Sequence, residues 1–333
     1  MPGDTFSEAL LIYALRRATE GAARAAYEWL GRGEKSLSDR AAMNAMRCEL
    51  DQLPIGGTVV IGDATHDEKA SLKTGQRVGY PNAALQFDIA VDPVEGTSYL
   101  ARGLTNAMAV MALAPRDSLY QPGPAFYMEK FVAPSAAKGK IDPKAPVEDK
   151  LRTLAGILNK PVSELTVFAL EKPRHNELVD RIHALGARVA LYPAGDVGGA
   201  LMAAIPGSGI DALVGTGGTP EGILSACAIR TLGGEFQARL DPQLPSEIAA
   251  VKKAGLDTAR WLSVEDLVRS ERIYFAATGI TTGLLFEGVE RARGLERTQT
   301  LLISGVTGER QLLTTYYSLK GDSRDGRKGS ANA

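Results

Sequence analysis

The sequence predicts an α/β fold in which much of the sheet is parallel. Short apolar runs alternate with helical segments in the second half of the chain, which is the pattern of βαβ units. Each of these predicted strands ends in a loop with glycine or a polar residue, where open α/β sheets place their ligands. The chain also contains 36 glycines, of which some are expected in tight strand-to-helix turns and most in ordinary loops.

Hydrophobic periodicity places two amphipathic helices before the first predicted strand. Along the first half, we expect helices at 6–30 and 37–52 and strands at 58–61, 87–91, 107–114 and 126–132. The alternating region consists of strands at 165–170, 188–192 and 210–214 and helices at 175–185, 197–205 and 221–232. The remaining elements are a helix at 245–254, a strand at 273–277 and a hairpin with arms at 298–304 and 311–317.

Lys, Pro and Asp cluster at 137–150, which indicates a boundary between two halves. We therefore expect one half at 1–140 and an α/β half at 150–320. The polar tail at 321–333 is predicted to be disordered, because it has almost no apolar surface to bury.

Composition excludes several classes of function. With 38 basic and 39 acidic residues the net charge is -1, so no global field favours nucleic acid or an anionic membrane. The two cysteines have no CxxC spacing, and there are three His, which argues against a disulfide framework or a zinc site. No apolar run reaches the ~18 residues of a membrane span, and the expected location is cytoplasmic.

The most informative segment is an acidic strand end. An apolar run at 87–91 leads into Asp92, and we expect Pro93 to end the strand. Glu95 and Thr97 follow, with Gly96 allowing close approach of the backbone to a ligand. Two carboxylates on one turn can converge on a cation such as Mg²⁺ or Mn²⁺, although acidic turns are also common on protein surfaces.

Three further acidic positions lie at the ends of predicted elements. Asp63 ends the strand at 58–61 and is followed closely by Asp67 and Glu68. Asp39 begins the second helix, where a simple N-cap is the alternative. Glu221 opens another helix, where it could instead complement the helix dipole. Together these positions favour a cation cluster.

Groups that could bind phosphate are also present. The glycine-rich segment 215–222 is neither a dinucleotide fingerprint nor a P-loop, but its backbone N–H groups precede a helix and could bind an anion. The segment 172–175 (KPRH) follows a predicted strand, and Arg174 can form paired hydrogen bonds with phosphate, or be a solvated loop charge. Lys35 is a further candidate cation. His175 is expected to be a helix-start residue.

Several motifs together resemble one enzyme family, the class II fructose-1,6-bisphosphatases of the inositol-monophosphatase and fructose-bisphosphatase superfamily. DPVEGT at 92–97 is similar to the superfamily's metal-binding motif. The other matching segments are WLGRGEKSLSD (29–39), TVVIGD (58–63), YMEK (127–130), KPRH (172–175), GDV (195–197), GTGGTPEG (215–222) and ATGITTG (277–283). Their order and spacing agree from about residue 8 to 318.

The resemblance implies a sugar-phosphatase fold with alternating helix and sheet layers. It implies a metal-binding half at 1–140 and a sugar-phosphate-binding half at 150–320, with Mn²⁺ or Mg²⁺ as the cofactor. The implied metal ligands are Asp39, Asp63, Asp92, Glu95 and Glu221. The implied substrate contacts are Glu95, Gly96, Thr97, Tyr127, Lys172, Pro173, Arg174, Gly195, Asp196 and Gly218. Thr97 would be catalytic, with Lys35 near the metals and Asp67 or Glu68 as an acidic neighbour that helps to orient the attacking water.

The expected activity is release of the 1-phosphate of fructose 1,6-bisphosphate, and some relatives also accept sedoheptulose 1,7-bisphosphate. The family also leads us to expect a homo-oligomer, a dimer or tetramer. Three positions depart from the family pattern: Asp63 and Thr65 replace glutamates, and Ala194 replaces an acid that contacts the sugar. These departures leave two alternatives open: the same chemistry on another sugar or cyclitol phosphate, or a non-catalytic sugar-phosphate-binding protein.

Overall fold

The computed structural model describes residues 8–53, 55–62 and 72–319. The helices are α1 Glu8–Tyr27, α2 Lys35–Leu50, α3 Thr97–Ala101, α4 Val147–Leu158, α5 Asn176–Ala184, α6 Asp196–Ala204, α7 Thr219–Leu232, α8 Pro245–Lys253 and α9 Val264–Leu267. The strands are β1 Gly56–Ile61, β2 Arg77–Gly79, β3 Gln86–Glu95, β4 Met108–Pro115, β5 Tyr127–Ala133, β6 Thr166–Leu170, β7 Arg188–Tyr192, β8 Ala212–Gly218, β9 Glu235–Leu240, β10 Trp261–Ser263, β11 Tyr274–Gly279, β12 Glu290–Ala292, β13 Leu295–Ser304 and β14 Arg310–Ser318.

The first sheet has the strand order β12-β13-β11-β4-β3-β1-β2, and β14 pairs with β13. Within it β1 and β3 are parallel, and the other pairs are antiparallel. The predicted hairpin is confirmed as β13 and β14, whose arms pair from Leu295 with Ser318 to Ile303 with Arg310.

The second sheet has the order β10-β9-β5-β8-β6-β7. Among its described strands, β6 is parallel to β7 and β8, while the pairs that involve β5, β9 and β10 are antiparallel. The three strands of the alternating region are therefore parallel, as predicted, but the sheet that contains them is mixed and not largely parallel. Strand β9 was not predicted, although Phe236, Ala238 and Leu240 alternate with polar residues as in a strand with one apolar face. Its polar residues Glu235 and Gln237 are buried as well.

Helices and sheets alternate in layers, as the resemblance implied. Helices α1 and α2 cover one face of the first sheet, α6 and α7 lie between the sheets, and α4 and α5 cover the outer face of the second. Successive side chains of a strand enter different cores, since they point to opposite faces. On β4, Met111 packs in the α1–α2 core and Val110 in the core between the sheets. On β5, Phe131 packs in the outer core with α4 and α5, and Val132 in the core between the sheets.

Each sheet draws on strands from both sides of the segment 137–150. Strand β5 lies in the second sheet, whereas β11 to β14 lie in the first. The functional division into halves at 1–140 and 150–320 stays a prediction. The tail at 321–333 lies outside the described residues.

Both cysteines lie on helices, as predicted, and both are free: Cys48 is exposed on α2 and Cys227 is buried on α7. None of the described helices has both the length and the apolar character of a membrane span.

Candidate active site

The acidic turn after β3 is built differently from the prediction. Pro93 does not end the strand, because β3 continues to Glu95 with a register shift against β4 between Asp92 and Glu95. That irregularity accommodates the proline, which has no N–H to donate to the ladder. Gly96 then turns the chain with φ 81°, and a β-carbon there would lie 2.7 Å from Tyr99 Cδ2. Thr97 begins α3 directly after this turn.

Helix α2 brings a second carboxylate to this turn. The Thr97 hydroxyl lies 3.3 Å from Asp39 Oδ1 and 3.0 Å from the Val94 carbonyl. Asp39 is not an N-cap, because α2 begins at Lys35 with Glu34 as its N-cap. Lys35 Nζ donates to Ser98 Oγ at 3.0 Å, so the start of α2 also contacts the residue beside Thr97.

Glu95 is the buried centre of the acidic group. Its side chain is 5% exposed, and Oε1 accepts a hydrogen bond from the Val197 N–H at 3.1 Å. Burial raises the pKa of Glu95 well above its ordinary value, and the negative charges of Asp92, Asp196 and Glu221 raise it further. Carboxylates close enough to act on one another in this way are stabilised when a cation lies among them.

Glu221 reaches the site from the first turn of α7, which follows β8. Gly218 is the N-cap of that helix, and a β-carbon at Gly218 would overlap Glu221 Oε2. Glycine at this position therefore lets the carboxylate fold back over the end of β8. The placement agrees with a metal ligand and equally with a first-turn acid that complements the helix dipole.

The loop before α6 is tied to the turn after β3 by Tyr99. The Tyr99 hydroxyl donates to the Ala194 carbonyl at 2.6 Å and accepts from the Ala194 N–H at 3.2 Å. Burial raises the pKa of Tyr99 to about 12, so the hydroxyl stays protonated and can donate. At Gly195, with φ 86°, a β-carbon would lie 3.1 Å from Cε2 of the same ring. Tyr99 therefore fixes the separation between the segment after β3 and the loop before α6.

Tyr99→Phe should lower the free energy of unfolding by about 1–2 kcal/mol, because the Ala194 peptide loses a partner for both its carbonyl and its N–H. Chemical denaturation measures this change. Tyr80→Phe is the matched control, since Tyr80 is 56% exposed and its loss of a hydroxyl should be neutral. Equal stability of Tyr99→Phe and the wild type would contradict this role for the Tyr99 hydroxyl.

The cationic loop 172–175 is attached to β8 through the side chains of Arg174 and His175. Arg174 donates to the Thr216 carbonyl from Nε at 3.0 Å and from Nη2 at 2.8 Å, and its guanidinium lies 5.1 Å from the centre of the Tyr127 ring. Tyr127 is paired with Gly218 across the β5–β8 ladder. The predicted contacts from three elements are therefore neighbours.

His175 is buried beneath this loop and is more than the helix-start residue that the sequence analysis predicted. Its Nδ1 lies 2.7 Å from the Leu170 carbonyl, and Nε2 lies 2.8 Å from the Thr216 N–H. This arrangement fits the neutral tautomer that donates from Nδ1 and accepts at Nε2. Burial lowers the pKa of His175.

Acidification should therefore destabilise the fold through His175. Protonation favours the unfolded chain, so stability present above the ordinary His pKa of about 6.5 is lost as pH falls through the lowered pKa. Chemical denaturation between pH ~7.5 and ~5.5 should show this loss, and His175→Gln should reduce its slope. His183→Gln, a change at an exposed histidine, should keep the wild-type slope. An unchanged slope in His175→Gln would rule out His175 as the source.

The structure brings nearly all of the described candidate residues to one region. The start of α2 and the start of α6 each contact the segment that ends β3 and begins α3, and loop 172–175 contacts β8 through Arg174. Asp63, Asp67, Glu68 and Thr65 lie outside the described residues. Within 8–53, 55–62 and 72–319, no three His, Cys, Asp or Glu residues are grouped closely enough to hold a metal ion by themselves. The all-carboxylate donor set fits Mg²⁺ or Mn²⁺ in its chemistry, and the assignment of ligands stays a prediction.

Comparison with known proteins identifies the family. A profile described as "Bacterial fructose-1,6-bisphosphatase, glpX-encoded" matches residues 9–317. The chain is 43% identical over 302 residues to "Fructose-1,6-bisphosphatase 1 class 2" of Escherichia coli strain K12, covering 87% of this chain and 89% of that protein. The chain belongs to the class 2 fructose-1,6-bisphosphatase family. The Haemophilus influenzae member, named "Fructose-1,6-bisphosphatase class 2", is 42% identical over 302 residues, covering 87% of this chain and 90% of its own length.

Membership confirms the resemblance found from the sequence motifs, and the family is metal-dependent. Among solved structures, an "Extragenic suppressor" from Pyrococcus furiosus matches with a TM-score of 0.29 and 12% identity, covering 59% of this chain and 69% of that one. A similarity this low supports no conclusion.

One polar residue of the site was missed by the sequence analysis as a candidate. Lys130 on β5 is 2% exposed, forms an ion pair with Asp196 and donates to the Gly218 carbonyl at 2.9 Å. A signal was present in the sequence, since Lys130 lies between the apolar residues Met128 and Val132 on the same face of a strand. A charge on the apolar face of a buried strand indicates a buried partner.

Proposed function

We propose that this protein is a metal-dependent phosphatase that hydrolyses fructose 1,6-bisphosphate to fructose 6-phosphate and also accepts sedoheptulose 1,7-bisphosphate. The observation that carries the proposal is the similarity, over 87% of the chain, to relatives named class 2 fructose-1,6-bisphosphatase. The carboxylates around Glu95 support it, because a phosphoester beside a cation needs such an oxygen-rich site.

The cofactor in this proposal is Mn²⁺ or Mg²⁺. Its ligands would be Asp39, Asp63, Asp92, Glu95 and Glu221. Such an ion supplies Lewis-acid stabilisation of phosphate charge and activates water near neutral pH. Asp39 holds the Thr97 hydroxyl in place, and that hydroxyl would orient the attacking water. Asp67 or Glu68 would help to orient that water, and Lys35, beside Ser98, would add positive charge near the reacting phosphate.

The remaining contacts would hold the substrate at its far end. Lys172 and Arg174, with Pro173 fixing the loop between them, would bind the second phosphate, and bidentate Arg–phosphate geometry suits Arg174. The sugar would lie against Glu95, Gly96, Thr97, Tyr127, Gly195, Asp196 and Gly218. Catalysis in this arrangement is mostly positioning and electrostatics. We also propose that the protein works in the cytoplasm as a homo-oligomer, a dimer or tetramer.

Phosphate release from a substrate panel tests the proposal. The panel contains fructose 1,6-bisphosphate, sedoheptulose 1,7-bisphosphate, fructose 1-phosphate, fructose 6-phosphate and an inositol monophosphate, each with Mg²⁺, Mn²⁺ or excess chelator. We expect the highest kcat/KM on fructose 1,6-bisphosphate and none with chelator. A preference for the inositol phosphate would reassign the substrate, and release that survives the chelator would refute the metal requirement.

A further inference from the structure

Lys130 is a buried cation between two segments of the proposed substrate site. Its neighbours on the same face of β5, Met128 and Val132, belong to the core between the sheets. Within this core the ammonium forms an ion pair with Asp196 and donates to the Gly218 carbonyl at 2.9 Å. A buried ammonium stays charged only when it has such partners, and the two contacts therefore fix its position.

Two glycines leave room for the Lys130 side chain. A β-carbon at Gly217 would lie 2.9 Å from Lys130 Nζ and would overlap Asp196 Oδ2. A β-carbon at Gly222 would lie 3.3 Å from Lys130 Cδ and would overlap Met128 Sδ. The end of β8 and the first turn of α7 are therefore shaped around this lysine and its ion pair.

The two partners of Lys130 come from different elements. Asp196 begins α6, and Gly218 ends β8. Lys130 Nζ donates to Asp196 Oδ2, and no residue in the described ranges donates a hydrogen bond to Asp196 Oδ1. The lysine thus turns one carboxylate oxygen inward and leaves the other to accept a hydrogen bond from a ligand hydroxyl.

We propose that Lys130 is a positioning residue for the sugar: it holds the Asp196 carboxylate and the Gly218 backbone at a fixed separation so that both meet one sugar phosphate. This inference rests on the proposed function. Lys130 acts here through Asp196 and Gly218 and does not itself touch the phosphate that is released. Its loss should therefore weaken substrate binding more than it slows the chemical step.

Lys130→Met tests this role, because methionine keeps an unbranched apolar stem and removes the charge. We expect KM for fructose 1,6-bisphosphate to rise about tenfold or more, with kcat changed by less than about threefold. An unchanged KM, or a loss of kcat without a rise in KM, would overturn the proposal. Should the wild type release no phosphate from any sugar phosphate, the proposed function fails first, which separates the two failures.

A double-mutant cycle with Asp196→Asn gives a readout that a merely structural role would not produce. Because Lys130 acts partly through Asp196, the rise in KM of the double variant Lys130→Met/Asp196→Asn should fall clearly short of the product of the two single rises. If the two single rises multiply in full, Lys130 acts independently of Asp196, and the proposal is wrong. The double variant also removes the unpaired buried carboxylate that could prevent Lys130→Met from folding.

Lys150→Met is the matched control. Lys150 is also a buried lysine, at 4% exposure, but it lies on α4 and donates to Gln237 Oε1 at 3.1 Å on the outer side of the second sheet. Its replacement should leave KM at the wild-type value. A rise in KM for Lys150→Met as large as that for Lys130→Met would show that losing any buried lysine has this effect, and would overturn the specific role of Lys130.

Discussion

Replacing Asp92 with Asn should abolish metal-dependent phosphate release while leaving the fold intact. The Asp92 Oδ1 atom accepts the Val94 N–H at 3.1 Å, and the oxygen of an Asn amide can accept the same hydrogen bond. The turn should therefore survive, but the negative charge beside Glu95 is lost. Because an amide is a far weaker ligand for a divalent cation than a carboxylate, we expect kcat/KM to fall roughly a thousandfold or more.

The measurement is phosphate release from fructose 1,6-bisphosphate over a range of Mn²⁺ and Mg²⁺ concentrations, with thermal unfolding followed in parallel. Asp149→Asn is the control, because Asp149 is an exposed acid on α4 whose partner is Arg152. That variant should retain full activity. Full activity of Asp92→Asn at every metal concentration would remove Asp92 from the proposed cation site and put the whole carboxylate scheme in doubt.

The sequence could predict this part of the site because acidic residues at the ends of helices and strands can be located without knowing the order or direction of the strands. Asp92, Glu95 and Thr97 lie within one short segment at the end of β3 and the start of α3, so a few local rules locate them. Asp39 and Glu221 were found in the same way, and the structure brings Asp39 to Thr97 and Glu221 near Glu95. The positions of these residues follow from their neighbours in the sequence more than from the direction of the strands.

The remaining features depend on contacts between distant segments. Gln237 on β9 is buried, where it accepts a hydrogen bond from Lys150 and donates one to the Ile141 carbonyl, both far away in the sequence. The position of Lys130 on β5 indicates a buried partner, but the sequence does not identify that partner as Asp196, which is 66 residues away. Local hydrophobic periodicity shows which face of a strand is apolar, but it cannot show which distant segment supplies the partner of a buried polar residue.

Replacing Arg174 with Ala should raise KM for bisphosphates and have a smaller effect on monophosphates. Arg174 is exposed, and its two hydrogen bonds to the Thr216 carbonyl and its contact with the Tyr127 ring hold the guanidinium at the edge of the site. A side chain already held in this way loses little entropy when it binds phosphate. A lost charged hydrogen bond of about 1.5–3 kcal/mol corresponds to a rise in KM of roughly ten- to a hundredfold.

The comparison that decides the matter is the ratio of KM values for fructose 1,6-bisphosphate and fructose 1-phosphate. Arg181→Ala is the control: this arginine is also exposed and lies on nearby α5, but it forms a paired salt bridge with Glu148 and should leave both KM values unchanged. Since Arg174 would contact the phosphate that is not hydrolysed, the ratio should change in Arg174→Ala alone. An equal rise in KM for both substrates would mean that Arg174 shapes the site through Thr216 and does not bind the second phosphate.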